Sequence, residues 1–355
     1  MTARIEEAQP GAVNRFEEPF HLTDINNSKI RGSDPCALLM PDGEQRLITT
    51  WGPTEPPDHQ QGVYYQRNVS DGGKDFFGPF DPRKVVMIGG HQGPFEDTRG
   101  NEVFDYAAVP KADNDPWYIG MVTGFDKHWS RLDSRQWLIV CLMTELGWKK
   151  IDIAFDKDTI PVEGYSDIRQ IKEPSFVWDP QRKVFVGVIS VLGKRSHDGG
   201  IRTSPHFITG YLEGENLKWA VDRGPFMEPP GGEGRKADGW AAFDHGCLRL
   251  DNKDFNGDRL WHFFHVKEGP LPRKKNASYP DYRGMKVGIW VTSWFDSDWS
   301  TKVDKLLFEP EPNTLYDTHL GGPTFTQNAA GKWYGYLHGD NGGGSRRYLF
   351  GVRER

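Results

Sequence analysis

The stretch Lys172–Ser190, KEPSFVWDPQRKVFVGVIS, reads as two strands around a turn. Pro174 opens a short apolar run, Asp179 and Pro180 punctuate it, and a second run of alternating character follows from Val184. That order is a hairpin signature. Four other stretches share it: SDPCALLMPDGEQRLITTW from Ser33, FDYAAVPKADNDPWYIGMV from Phe104, DHGCLRLDNKDFNGDRLWHFFHV from Asp244 and GGPTFTQNAAGKWYGYLHG from Gly321. With the hairpins set in line, Pro35, Tyr106, Pro174, Gly246 and Pro323 stand at equivalent places, 71, 68, 72 and 77 residues apart. A third strand follows most hairpins, as in GVYYQRN from Gly62, WLIVCLM from Trp137, HFITGYL from His206, KVGIWVTSW from Lys286 and RYLFGV from Arg347.

Small sheets of this kind cannot bury both faces alone. Stacked radially, each covers its neighbours, and only short edges remain. The recurrence therefore predicts an all-β protein, a five-bladed β-propeller. One domain spans 1–355, with blades starting near 33, 104, 172, 244 and 321. The first 30 residues are expected to cross the propeller surface or complete a blade. Two excursions, Asp222–Trp240 and Glu268–Gly284, are too long for turns, and the first could overhang a pocket.

Composition fits: 41 Gly, 25 Pro, 13 Trp and 12 Tyr suit short strands and turns. A net charge of −6 argues against a nucleic-acid partner. No run of 18 apolar residues exists to span a membrane as a helix. The three cysteines, Cys36, Cys141 and Cys247, form no metal or disulfide pattern and read as buried thiols. The opening MTARIEEAQPGAVN lacks an apolar h-region, which predicts a cytoplasmic protein, or a secreted one if a leader precedes it. Phosphate loops, dinucleotide fingerprints, nucleophile elbows and HExxH motifs are absent, which disfavours nucleotide, serine-hydrolase and zincin chemistry.

In a propeller the innermost strands line a central channel, so a residue just before each first strand points toward a shared space. Here those residues are Asp34, Asp105, Glu173, His245 and Gly322. Three carboxylates at matching places repel one another, so their protonation states must differ or a cation must offset them. A protonated acid beside a carboxylate is what glycosidic cleavage needs: one protonates the leaving oxygen, the other activates water or attacks the anomeric carbon. Asp34, Asp105 and Glu173 are therefore the expected catalytic residues. Asp244, His245 and His319 are expected to contact substrate, with Asp317 and His206 behind them. Trp51, Trp117, Trp240 and Trp294 are candidates to stack on a sugar face.

The SDP at Ser33–Pro35 and the hairpin GPTFTQNAAGKWYGYLHG resemble the first-blade and last-blade motifs of five-bladed propeller glycoside hydrolases, the group containing families 43, 62, 32, 68 and 117. The resemblance implies hydrolysis of a terminal glycosidic bond in an oligosaccharide, of the arabinofuranosidase, xylosidase or fructosidase type, with inversion. It implies Asp34 as general base, Asp105 as the residue that tunes the acid, and Glu173 as general acid. HLGG at His319 resembles the last-blade histidine that points into the channel beside a metal or water. No cofactor is expected to be required. No metal ligands are assigned, although a structural Ca²⁺ in the channel could be held by oxygen ligands. Two other readings stay open: a lectin-like propeller that binds carbohydrate without turnover, and a metal-dependent lyase or oxygenase using His245 and His319. Oligomeric state is not legible.

Overall fold

A computed structural model describes residues 16–39, 44–51, 62–70, 75–88, 95, 97–109, 117–127, 131, 133–144, 147–197, 199–213, 216–227, 242–268, 287–311, 314–316, 319–328, 330–340 and 347–355. No helix occurs among them. The chain forms a five-bladed β-propeller, as the repeat predicts. After a short strand β1 (Phe20–His21), the first blade is β2 (Ser33–Leu39), β3 (Gln45–Trp51), β4 (Gly62–Arg67) and β5 (Lys84–Ile88). The second is β6 (Gly100–Val109), β7 (Trp117–Phe125), β8 (Gln136–Thr144) and β9 (Gly147–Asp156). The third is β10 (Tyr165–Asp179), β11 (Val184–Arg195), β12 (Ile201–Glu213) and β13 (Asn216–Arg223). The fourth is β14 (Ala242–Leu250), β15 (Leu260–Glu268), β16 (Val287–Phe295) and β17 (Asp298–Phe308). The fifth has β18 (His319–Gln327), β19 (Trp333–Asp340) and β20 (Tyr348–Arg353).

Strands within each blade pair antiparallel in chain order. The fifth blade is completed from the other end of the chain. Strand β1 pairs with β20, and Phe16 bridges Glu354, so the segment that leads into the first blade is tied to the last one. The early segment therefore completes a blade, one of its two expected fates.

The apolar clusters follow the ring, one at each blade interface. Leu38, Ile48 and Val63 of the first blade meet Phe104, Val122 and Trp137 of the second. Met121, Leu138 and Val140 meet Phe176, Phe185 and Ile189. Val188 and Phe207 meet Leu248, Trp261 and Phe263. Phe264 and Val291 meet Phe325 and Trp333, and Leu47 and Phe80 meet Tyr336 and Leu349. Each sheet is thus covered on both faces, which is why apolar residues recur on both sides of the second and third strands. The three cysteines are buried and free.

Candidate active site at the channel mouth

Every innermost strand carries a β-bulge at the same level, and β10 has two further irregularities nearer its start. Register breaks fall between Ser33 and Cys36, Glu102 and Phe104, Lys172 and Ser175, Asp244 and Gly246, and Gly321 and Thr324. The residue at the head of each bulge is Asp34, Val103, Glu173, His245 or Gly322. Four of these have left-handed backbone: Asp34 at φ 49°, Val103 at 45°, Glu173 at 58° and Gly322 at 54°. That conformation is rare for Asp and Glu and costly for a β-branched Val. Its recurrence at an apolar residue makes it a property of the blade, not of catalysis.

A hydrogen bond from the preceding blade holds three of the bulges. The amide of Val103 donates to Thr50 Oγ1 at 2.9 Å, that of Glu173 to Thr123 Oγ1 at 3.2 Å, and that of Asp34 to His338 Nδ1 at 3.0 Å. The side chain that pins each of these three bulges therefore comes from the preceding sheet of the ring.

This register corrects one expected alignment. The partner of Pro35 and Pro174 in the second blade is Phe104, not Tyr106, and the residue equivalent to Asp34 and Glu173 is Val103, not Asp105. Asp105 lies two positions further down, level with Cys36, Ser175, Cys247 and Thr324. These five small side chains, one per blade, line the lower part of the channel pocket. Cys36 Sγ lies 3.6 Å from Asp105 Oδ1, and Ser175 Oγ donates to Asp105 Oδ2 at 2.7 Å. Arg249 rises from below to reach both Asp105 oxygens at 3.2 Å. The bulge residues also sit within their strands and not ahead of them, since β10 begins at Tyr165, well before Glu173.

Asp34 lines the pocket, and Pro174, next to Glu173, lines it from the third blade. Both carboxylates are buried, at 8% and 3% exposure. Ser33 Oγ donates to Asp34 Oδ2 at 2.8 Å. Lys172 Nζ lies 2.7 Å from Glu173 Oε1, with both side chains largely shielded from water. An ammonium at that distance favours the carboxylate over the acid.

On the fifth blade, His338 accepts the Asp34 amide at Nδ1, so its proton sits on Nε2. That atom is 3.1 Å from His319 Nε2, with the two rings parallel. The His338 Nδ1 to Asp34 Oδ1 approach of 3.6 Å is then a contact without a shared proton. HLGG has a steric meaning as well. A Cβ on Gly321 would stand 2.4 Å from His319 Nε2, and one on Gly322 would stand 2.6 Å from His338 Nδ1.

The remaining expected residues divide. His245 heads the fourth-blade bulge and Asp244 precedes it, but their side chains, like that of Trp51, lie outside the described residues. Trp240, Asp317 and most of both long excursions lie outside them altogether. Trp117 begins β7, at the strand end remote from the bulges, and Trp294 packs between the third and fourth blades; neither is at the mouth. His206 is buried in the third blade against the Tyr165 hydroxyl, 2.9 Å away. Burial, then Arg195, depresses its pKa to about 3. Arg249 and His338 are site residues that the sequence patterns did not single out. An arginine within an innermost strand and a histidine in the second strand of GKWYGYLHG were the available signals.

Among the described residues no group of three or more His, Cys, Asp and Glu side chains is arranged to hold a metal ion. Asp105 is bound to Arg249, and the facing nitrogens of His319 and His338 are at hydrogen-bond distance.

No family model and no curated protein sequence matches the chain. Solved structures do. BT0996, solved in a complex with RGII, shares 9% identity at a TM-score of 0.66, covering 100% of this chain and 96% of its own length. A protein described as a glycoside hydrolase shares 9% identity at a TM-score of 0.63, covering 100% and 94%. A thermostable family-43 glycoside hydrolase shares 11% identity at a TM-score of 0.51, covering 94% and 92%. At such identities the likeness is one of fold: the chain has the five-bladed propeller found in family-43 and related glycoside hydrolases.

Proposed function

We propose that this protein is a glycoside hydrolase that removes a terminal sugar from an oligosaccharide, with Asp34 and Glu173 as its working carboxylates. The observation that carries the proposal is their equivalence. Both head the same bulge, on blades one and three, at the level where the channel pocket begins. Cleavage of a glycosidic bond needs one of the two as acid and the other as base.

Lys172 selects which is which. It favours the ionised form of Glu173, so Glu173 takes a proton from water as the water oxygen attacks the anomeric carbon. In the same step Asp34 gives its proton to the glycosidic oxygen as the old C–O bond breaks. These roles reverse those implied by the family resemblance, and the contact with Lys172 is the reason. Asp105, neutralised by Arg249 in the pocket wall, positions the floor and does not exchange protons. A terminal pentofuranoside or related sugar suits the narrow pocket, and attack by water from the opposite face gives inversion.

The test is turnover of a panel of aryl glycosides by the wild type, Asp34→Asn and Glu173→Gln. Glu173→Gln is expected to lose about 10²–10⁴-fold in kcat on every substrate. Asp34→Asn should lose as much on poor leaving groups and be largely spared on activated ones. Wild-type rates in both variants, or saturable glycan binding with no turnover, would overturn the proposal.

A further inference from the structure

A second cavity, of about 290 Å³, opens between the third and fourth blades, remote from the channel pocket and sharing no residue with it. Its position follows from the register. Val184 pairs with Asp179 at the end of β10, and Trp261 pairs with Leu250 at the end of β14. The cavity therefore lies toward the ends of the innermost strands, whereas the catalytic bulges lie above.

Side-chain size creates it. Val184 and Val186 face the fourth blade with short branched side chains, while Trp261 and Trp294 stand opposite, ring planes 8° apart and centroids 6.5 Å apart. Small residues against flat rings leave a slot that the two sheets do not fill.

The wall that reaches solvent is Trp299, 38% exposed, with Lys302 Nζ 4.4 Å from its ring centroid and Phe207 edge-on at 6.2 Å. The ring is thus fixed in orientation while part of its surface stays in water. Around it stand polar groups of both kinds. Asp222 is exposed on the rim. Arg182 donates to both oxygens of Asp296 at 2.9 Å, and Asp296 also accepts from Trp261 Nε1 at 3.1 Å and from Arg259.

We propose that this cavity is a second carbohydrate site, one that binds one or two rings of a neutral saccharide without cleaving it. An oriented aromatic face suits the C–H face of a sugar, and a rim of carboxylates and guanidinium suits its hydroxyls. The volume sits at the lower end of ligand pockets, about 300–1,000 Å³, which limits the occupant to a short segment.

The test is isothermal titration with mono- to tetrasaccharides of arabinose, xylose, galactose and rhamnose. It uses the intact protein and three variants: Trp299→Ala, the exposed rim change Asp222→Ala, and Asp34→Asn. Saturable binding that survives Asp34→Asn but weakens at least tenfold in both Trp299→Ala and Asp222→Ala is the expected result. Unchanged affinity in Trp299→Ala and Asp222→Ala, loss of binding in Asp34→Asn alone, or no saturable binding by any saccharide would overturn it. Binding through Trp299 by a protein that hydrolyses no aryl glycoside would support this site while overturning the catalytic proposal alone.

Discussion

Arg249 reaches both carboxylate oxygens of Asp105 at 3.2 Å, crossing from the fourth blade to the second beneath the channel pocket. Ser175 and the amide of Phe176 add donors from the third blade, at 2.7 and 3.2 Å. One carboxylate thereby ties three of the five blades together near the axis.

Removing the cation should therefore damage folding more than chemistry. Arg249→Met leaves Asp105 buried and uncompensated, a change that typically costs about 3–5 kcal/mol. Thermal unfolding is expected to show a large loss of stability, while the folded fraction keeps the pH profile of the wild type. A variant of normal stability with a shifted pH profile would place Asp105 in the chemistry instead.

The repeat was legible because each blade must contribute the same hairpin to the ring, and hairpins write turns and alternation into sequence. The bulge was not. It inserts a residue without changing the apolar pattern, and the left-handed conformation that usually announces itself as Gly or Asn is here carried by Asp34, Val103 and Glu173. Alignment by residue type matched the acid at 105, whereas the backbone matches the valine at 103. Asp34 and Glu173 stand out in the sequence only because their blades place acids at the bulge. His338 was missed because its partner is the amide of Asp34, 304 positions away in sequence.

The glycine pair on the fifth blade can be tested through that same contact. Gly322 combines φ 54° with a Cβ position 2.6 Å from His338 Nδ1 and 3.0 Å from the Asp34 Cα. Gly322→Ala must displace the imidazole that holds the Asp34 amide. A stability loss of about 2–4 kcal/mol is expected, from the backbone and the clash together. Turnover by the folded fraction should fall as well, because Asp34 moves with its amide. Denaturant unfolding and initial rates on one aryl glycoside measure the two effects; a stable variant with wild-type rates would contradict both.

Lys172 offers a test of the protonation states. Its ammonium, 2.7 Å from Glu173 Oε1, favours the carboxylate. Lys172→Met removes that charge while keeping most of the stem, so Glu173 should hold its proton to higher pH. The acidic limb of kcat/KM, which reports the group that must be ionised, is expected to move to higher pH by about one unit or more. An acidic limb that stays put, or moves to lower pH, would remove Glu173 from the role of base.

His206 links the fold to acid sensitivity. It is 1% exposed, lies against the Tyr165 hydroxyl, and has so little room that a Cβ on Gly224 would stand 2.0 Å from its Nδ1. Burial, with Arg195 adding to it, lowers its pKa from 6.5 to about 3. In the unfolded chain the imidazole takes up a proton as pH falls through 6.5; in the folded protein it stays neutral until about 3. Between those values the unfolded state binds more protons, so stability must fall with acidification, by at most about 1.4 kcal/mol per pH unit from this group. His206→Gln can still accept the Tyr165 hydroxyl and does not titrate. Its stability at about pH 7 is expected to be somewhat below wild type, but its loss from about pH 6.5 to about pH 4 should be shallower. Denaturant melts at half-unit pH steps give both slopes, and parallel curves for the two proteins would show that His206 carries none of the acid dependence.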